Sequence, residues 1–308
     1  ILAFRGLKQQ AIDTAEAGDI VSLAGMSKAT VADTIADQSV EDPIPAQPID
    51  PPTITVTFGI NDSPLAGRDG KKVQSRVIRD RLLKECESNV AIKMVDTPGG
   101  EAFDVSGRGE LQMGVLIENM RREGFELSIS RPRVIYKDVD GVKNEPIEEV
   151  TIDVDEEFSG AVIEKLSSRK GEMVDLKSSG SGKTRIIALV PSRGLIGYHS
   201  EFMTDTRGTG ILNRVFHSWS PHKGSIAGRR QGVLISMENG SSVAYAIFNL
   251  EERGKFFIGS GEEVYEGMII GEHNRDNDLE VNPLKGKKLT NIRASGNDEA
   301  VRLTPPTK

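Results

Sequence analysis

The chain is poor in the residues that build cross-links, metal centres and membrane spans. Its 308 residues include one cysteine, one tryptophan and four histidines. A lone Cys86 excludes an internal disulfide and fits a reducing compartment. Four scattered histidines offer no metal-ligand spacing; His217 and His222 stand five apart with no third or fourth ligand in view. No serine–histidine–acid or cysteine–histidine arrangement stands out. No apolar run approaches the length of a transmembrane helix, and no secretory leader is read at the opening. The net charge of −7 argues against a generic nucleic-acid coat.

What is present is unevenly spread, and local charge rather than the sum decides phosphate contact. Residues 1–50 hold eight acids against Arg5, Lys8 and Lys28. After Asp205 no acid occurs until Glu238, and that window carries Arg207, Arg214, Lys223, Arg229 and Arg230. Residues 281–297, VNPLKGKKLTNIRASGN, carry Lys285, Lys287, Lys288 and Arg293 with no acid. An acidic chain that clears acids from two glycine-bearing stretches is expected to present an anion-binding surface there. Asn282 and Asn291 add donors and acceptors for bases or sugars. The opening ILAFRGLK lacks a methionine and reads as a strand under way, and TPPTK carries no stop signal. A segment of a longer polypeptide is expected.

Periodicity gives an α+β fold with a repeat. Residues 1–48 hold short apolar pieces, too little for a closed domain, and read as the end of a β-barrel. A proline-rich linker follows. In TITVTFGI, Ile54, Val56, Phe58 and Ile60 alternate with polar residues, a half-buried strand. Helices are expected over 71–87 and 110–123, strands over 89–95, 102–105 and 125–129. The order βαββαβ is the ferredoxin-like plan. It recurs: a strand at Val150–Val154, a helix over 159–169, a hairpin of 172–177 with 184–190, a helix over 195–206 and a strand over 210–219. Both units place an Arg-Gly step between third strand and second helix. From 225 onward short strands (232–237, 242–248, 263–270) alternate with glycine turns, a small β-rich domain. One helical turn is expected at 249–253. The boundaries are 1–48, 51–135, 145–222 and 223–308.

Residues 180–184, GSGKT, lack the first P-loop glycine, since Lys177 stands there, and the strand-like RIIALV follows instead of a helix. A hairpin tip is the reading. The run SGRGE at 106–110 opens a helix. It is either a phosphate nest, with Arg108 reaching RNA, or a tight turn using glycine freedom. Asp153, Asp155, Glu156 and Glu157 cluster at a strand end, where charge at a helix N-terminus is the simpler account. Phe216 and Trp219 read as core rather than stacking platforms.

The runs EEFSGAVIEKLSSRKGEM, SRGLIGYHSEFMTDTRGTGILNRVFHSW, FDVSGRGELQMGVLIENMRREGFELSISRP and VYEGMIIGEHNRDNDLEVNPLKGKKLTNIRASGNDEAVRLTPP resemble the BipA (TypA) family of bacterial translational GTPases, related to elongation factor G. The likeness covers essentially the whole chain. It implies the end of a barrel domain II, ferredoxin-like domains III and V, and a family-specific C-terminal domain. It implies a monomeric cytoplasmic factor, not membrane-bound, that docks at the ribosomal elongation-factor site. Its partners would be rRNA, the A-site tRNA acceptor end and ribosomal proteins, with roles in stress adaptation and ribosome assembly. The GTPase domain, with GTP and Mg2+, is expected before Ile1, so no cofactor and no catalysis are expected here. The family's last helix is expected after the TPP of 304–306. Arg108, Arg207, Arg214, Lys223, Arg229, Arg230, Lys285, Lys287, Lys288 and Arg293 are the expected RNA contacts. Two rivals remain: a nucleotide-binding enzyme using 180–184, and a protein-interaction module recruiting a basic partner through residues 1–50.

Overall fold

The computed structural model describes every residue except 7, 27, 28, 30–32, 46–49, 179, 181, 227–230, 287–301 and 308. The chain divides into two compact units. One comprises Ile1–Asp62 with Ala66–Pro146, the other Ser63–Leu65 with Ile147–Lys308.

In the first unit, Leu2–Arg5 pairs antiparallel with Lys8–Ala11 and with Val21–Ser22. Ala3 is the one buried hydrophobic side chain among the described residues up to 50, while Phe4, Ile20 and Ile44 are 64%, 94% and 75% exposed. This stretch builds no core of its own, as its composition implies. The strand Lys8–Ala11 is an addition; its sequence KQQA shows no apolar alternation.

The first ferredoxin-like unit follows. Its strands run in the order Lys93–Asp96, Ala102–Gly107, Ile54–Ile60, Leu127–Ile129. That is second, third, first, fourth in chain order, the expected βαββαβ topology. The helices Ser75–Ser88 and Glu110–Arg122 bury Ile78 and Leu82, and Met113, Leu116 and Met120. With Ile54, Phe58, Phe103 and Val105 these form the unit's core.

The second unit repeats the order with Glu172–Ser178, Lys183–Pro191, Val142–Asp155 and Ile211–Pro221. Val150, Ile152 and Val154 alternate toward the helix side and join Val162 and Leu166 of the helix Glu156–Ser168 in one buried cluster. Glu172–Ser178 is an edge strand, and its register against Lys183–Pro191 shifts between Met173 and Asp175. The helix expected over 195–206 is two pieces, Ser192–Leu195 and Tyr198–Asp205. They are separated by Ile196, extended with ψ 121°, and by Gly197, whose left-handed φ of 71° falls at a residue that bears no Cβ penalty. The second Arg-Gly step therefore lies inside a helical turn.

The C-terminal part holds a sheet in the order Gly254–Phe256, Ile269–His273, Val233–Ser236, Leu279–Val281, the last pair parallel. The strand expected over 242–248 is instead the helix Ala244–Leu250, continued by a 3-10 turn at Glu251–Arg253. The run SVAYAIF is ambiguous by alternation. Burial decides it: Ala246 and Ile247 are buried and Leu250 packs on the same cluster, a helical spacing. The strand expected over 263–270 is two, Glu263–Val264 and Ile269–His273, divided by a turn in which Met268 N–H donates to Tyr265 O.

Tyr198 is 1% exposed, and its hydroxyl finds no hydrogen-bond partner among the described residues. Burial pushes its ionisation up to about 12. The folded value lies above the unfolded value of about 10, so this group's contribution is complete below pH 10 and is lost as pH rises toward 12. In a near-ultraviolet titration one tyrosine is expected to ionise later than the rest. Tyr198→Phe should remove that late step and raise stability by about 1 kcal/mol, because an unsatisfied buried hydroxyl disappears.

Candidate nucleic-acid interface

The expected RNA-contacting cations fall into three groups: those held by the fold, those left open, and those outside the described residues. Arg214 belongs to the first. It lies on the closing strand Ile211–Pro221, whose neighbour in the sheet carries Glu148. Its Nε and Nη2 donate to both carboxylate oxygens of Glu148 at 2.6 and 2.9 Å. The Glu148 side chain is only 5% exposed, so this is a mostly buried, bidentate pair. Lys223 is held too, with Nζ 2.8 Å from Glu172 Oε1. No acid stands near Arg214 or Lys223 along the chain, yet each meets one in space. Strand pairing and the fold's return bring carboxylates to them from far upstream.

Arg207 is open. It follows the helix Tyr198–Asp205 and takes a left-handed φ of 50°. The turn is fixed by Thr206 Oγ1 donating to Phe202 O and Thr209 Oγ1 donating to Asp155 Oδ2. The Arg207 guanidinium lies 5.6 Å from the centre of the Phe158 ring, which orients it without neutralising it.

Lys285 is open as well. It stands on the wall of a cavity whose lining also includes Arg253. Neither side chain is engaged by a carboxylate among the described residues. The charge criterion missed Arg253 because Glu251 and Glu252 precede it. Arg229, Arg230, Lys287, Lys288 and Arg293 lie outside the described residues.

Arg108, in the first unit, is exposed. Its amide donates to Gln112 Oε1 and its carbonyl accepts from Thr53 Oγ1, so the SGRGE turn uses these groups internally. Glu110 adds an acid to the first turn of the following helix. Gly109 is extended, with φ −172° and open space where a Cβ would stand, so the turn does not demand glycine freedom there.

The remaining motifs resolve simply. At the GSGKT motif Ser178 pairs with Thr184 and Lys183 begins a strand, so no helix N-terminus follows to hold a phosphate. Asp153 is paired with Arg185 at 2.7 and 2.8 Å, which holds its carboxyl below the usual range. Glu156 and Glu157 occupy the first turn of the helix Glu156–Ser168, where acids suit the helix dipole. Phe216 and Trp219 pack on each other, ring centres 5.8 Å apart.

A second arginine was also not singled out from sequence. Arg169 donates to Gly194 O and Glu201 Oε2 and stacks over the Tyr198 ring at 4.8 Å. Lys165 pairs with the same Glu201. The network ties the helix Glu156–Ser168 to the turn after Pro191.

Two family profiles match in tandem. Residues 142–230 match the elongation factor G C-terminus, and residues 231–308 match the TypA/BipA C-terminal domain. The chain is 51% identical over 304 residues to the large ribosomal subunit assembly factor BipA of Bacillus subtilis, covering 98% of this chain and 50% of that protein. The protein of the same name in Escherichia coli K12 is 51% identical over 309 residues, covering all of this chain and 51% of its own length. That of Haemophilus influenzae is 52% identical over the same span, covering 50% of its length. The chain thus spans about half the length of the curated relatives it matches. Two adjoining domain matches and an identity sustained from end to end agree, and the chain belongs to the TypA/BipA family.

Proposed function

We propose that this chain is the RNA-docking portion of a cytoplasmic, ribosome-associated translational GTPase concerned with large-subunit assembly. Binding of GTP and Mg2+ and their hydrolytic chemistry belong, on this reading, to a GTPase domain of the longer protein. The residues here supply reach and contact with ribosomal and transfer RNA. The two ferredoxin-like units serve as rigid spacers. The observation that carries the reading is the acid-free run 281–297 with its four cations, of which Lys285 has no carboxylate partner among the described residues. Arg207, Arg229, Arg230, Lys287, Lys288, Arg293 and, in the first unit, Arg108 complete the proposed set. Arg214 and Lys223 are assigned to the fold instead, because Glu148 and Glu172 already hold them.

The test is ribosome co-sedimentation of the Lys285→Ala, Lys287→Ala, Lys288→Ala triple variant across a salt series. Loss of three phosphate contacts should flatten the logarithmic salt slope by about two, at roughly 0.7 per contact. The melting temperature should not move. An unchanged slope would remove these lysines from the phosphate-contacting set, and a parallel loss of stability and binding would assign them a structural role.

A further inference from the structure

The segment Ala244–Arg253 and the segment Leu279–Lys285 line a cavity of about 500 Å3 in the C-terminal part. Tyr245, Asn249 and Arg253 stand four residues apart, a spacing that brings helical side chains to one face. The other segment contributes Glu280, Asn282 and Lys285. The lining also includes the buried side chains of Ala246 and Val281. The framework is fixed. Asn249 Nδ2 donates to Tyr245 O, Asn274 N–H donates to Arg253 O at 2.8 Å, and Leu284 N–H donates to Asn282 Oδ1 at 2.9 Å. Leu284 packs on the core, which anchors the residue before Lys285.

The lining narrows the ligand. Two cations without a carboxylate partner among the described residues call for an anion. An apolar floor and a Tyr245 ring that is 38% exposed call for a flat apolar surface beside it. Glu280 disfavours a ligand charged throughout, such as a polyphosphate. It suits one with negative charge at one end and an N–H donor at the other, since carboxylates accept from exocyclic amino groups of bases. The volume falls within the range of small-molecule sites and exceeds what a bare phosphate fills.

We propose that this cavity binds a single nucleotide of an RNA strand. Its phosphate lies between Arg253 and Lys285, its base lies against the Tyr245 ring, and Glu280, Asn249 and Asn282 meet the base edge. The assignment rests on the RNA-docking reading for the source of the nucleotide; a free nucleoside monophosphate offers the same chemistry.

The experiment is fluorescence anisotropy of a labelled single-stranded RNA pentanucleotide with the full chain. Arg253→Gln and Tyr245→Ala are each expected to weaken binding about tenfold, while Tyr245→Phe keeps it within about twofold, as stacking predicts. Melting temperatures should match the parent. Adenosine and cytidine monophosphates should compete only at far higher concentration than unlabelled pentanucleotide. Parent-like, salt-sensitive binding by both Arg253→Gln and Tyr245→Ala would overturn the cavity and leave docking through the other cations standing. Monophosphates binding as tightly as the pentanucleotide would overturn the strand as source. No salt-sensitive RNA binding by the parent would remove the docking reading and this inference together.

Discussion

Replacing Arg214 with alanine is expected to destabilise the second unit by about 3 kcal/mol, because it strands a buried carboxylate without its partner. The pair is bidentate at 2.6 and 2.9 Å, and Glu148 is almost wholly enclosed. Removing the guanidinium leaves a buried carboxylate without the two charge-assisted hydrogen bonds that satisfied it. At 2–4 °C per kcal/mol for a unit of this size, melting should fall by roughly 6–12 °C. RNA binding measured below the transition should keep its affinity and salt slope. Adding Glu148→Gln to Arg214→Ala should recover part of the loss, since no buried charge then remains. Weakened RNA binding with an unmoved melting temperature would return Arg214 to the phosphate-contacting set.

Gly254→Ala is expected to be comparably severe, for a steric reason. Gly254 opens the strand Gly254–Phe256 and lies opposite His273. Its φ of 171° is ordinary extended backbone, so strain is not the issue. A Cβ there would stand 1.9 Å from the carbonyl oxygen of Glu272, and backbone cannot swing aside as a side-chain tip can. The strands must separate, at a cost of about 3 kcal/mol. The same strand pair positions Arg253 beside the cavity, so RNA contact through that wall should fall with stability. Gly160→Ala is the control. It lies in the helix Glu156–Ser168 with nothing within 4 Å of its Cβ position, and the change should raise stability by about 0.5–1 kcal/mol. Thermal melts of the two variants should therefore shift in opposite directions.

The two ferredoxin-like units were legible in the sequence because their strands and helices each keep a clean period. Val150, Ile152 and Val154 mark a strand, and Val162 and Leu166 a helix, without reference to anything distant. The legibility ended where period was ambiguous. In SVAYAIF apolar residues are too dense to separate two from 3.6, and only the packing of Ala246, Ile247 and Leu250 decides. It ended again at Ile196 and Gly197, where an extended residue and a left-handed one divide a helix that the side-chain pattern would continue.

The candidate site was less legible, because charge pairing is not local. Glu148 and Arg214 are 66 positions apart, and nothing near Arg214 in the chain announces its partner. An acid-free window describes a line, whereas neutralisation happens in three dimensions. The same gap hid Arg253: its neighbours Glu251 and Glu252 make the run look acidic, yet its side chain shares a cavity with Lys285.

The offset between Met173 and Asp175 has a consequence for the molecule in concentrated solution. An outermost strand offers its free amides and carbonyls as a template on which a second chain can add. Val174 and Leu176, more than half exposed there, would favour such growth. The extra residue interrupts the regular row of donors and acceptors and increases the local twist. Asp175 and Lys177, paired with each other at 2.6 Å, set charges beside the apolar side chains. The border of the second sheet is thereby blunted against edge-to-edge aggregation.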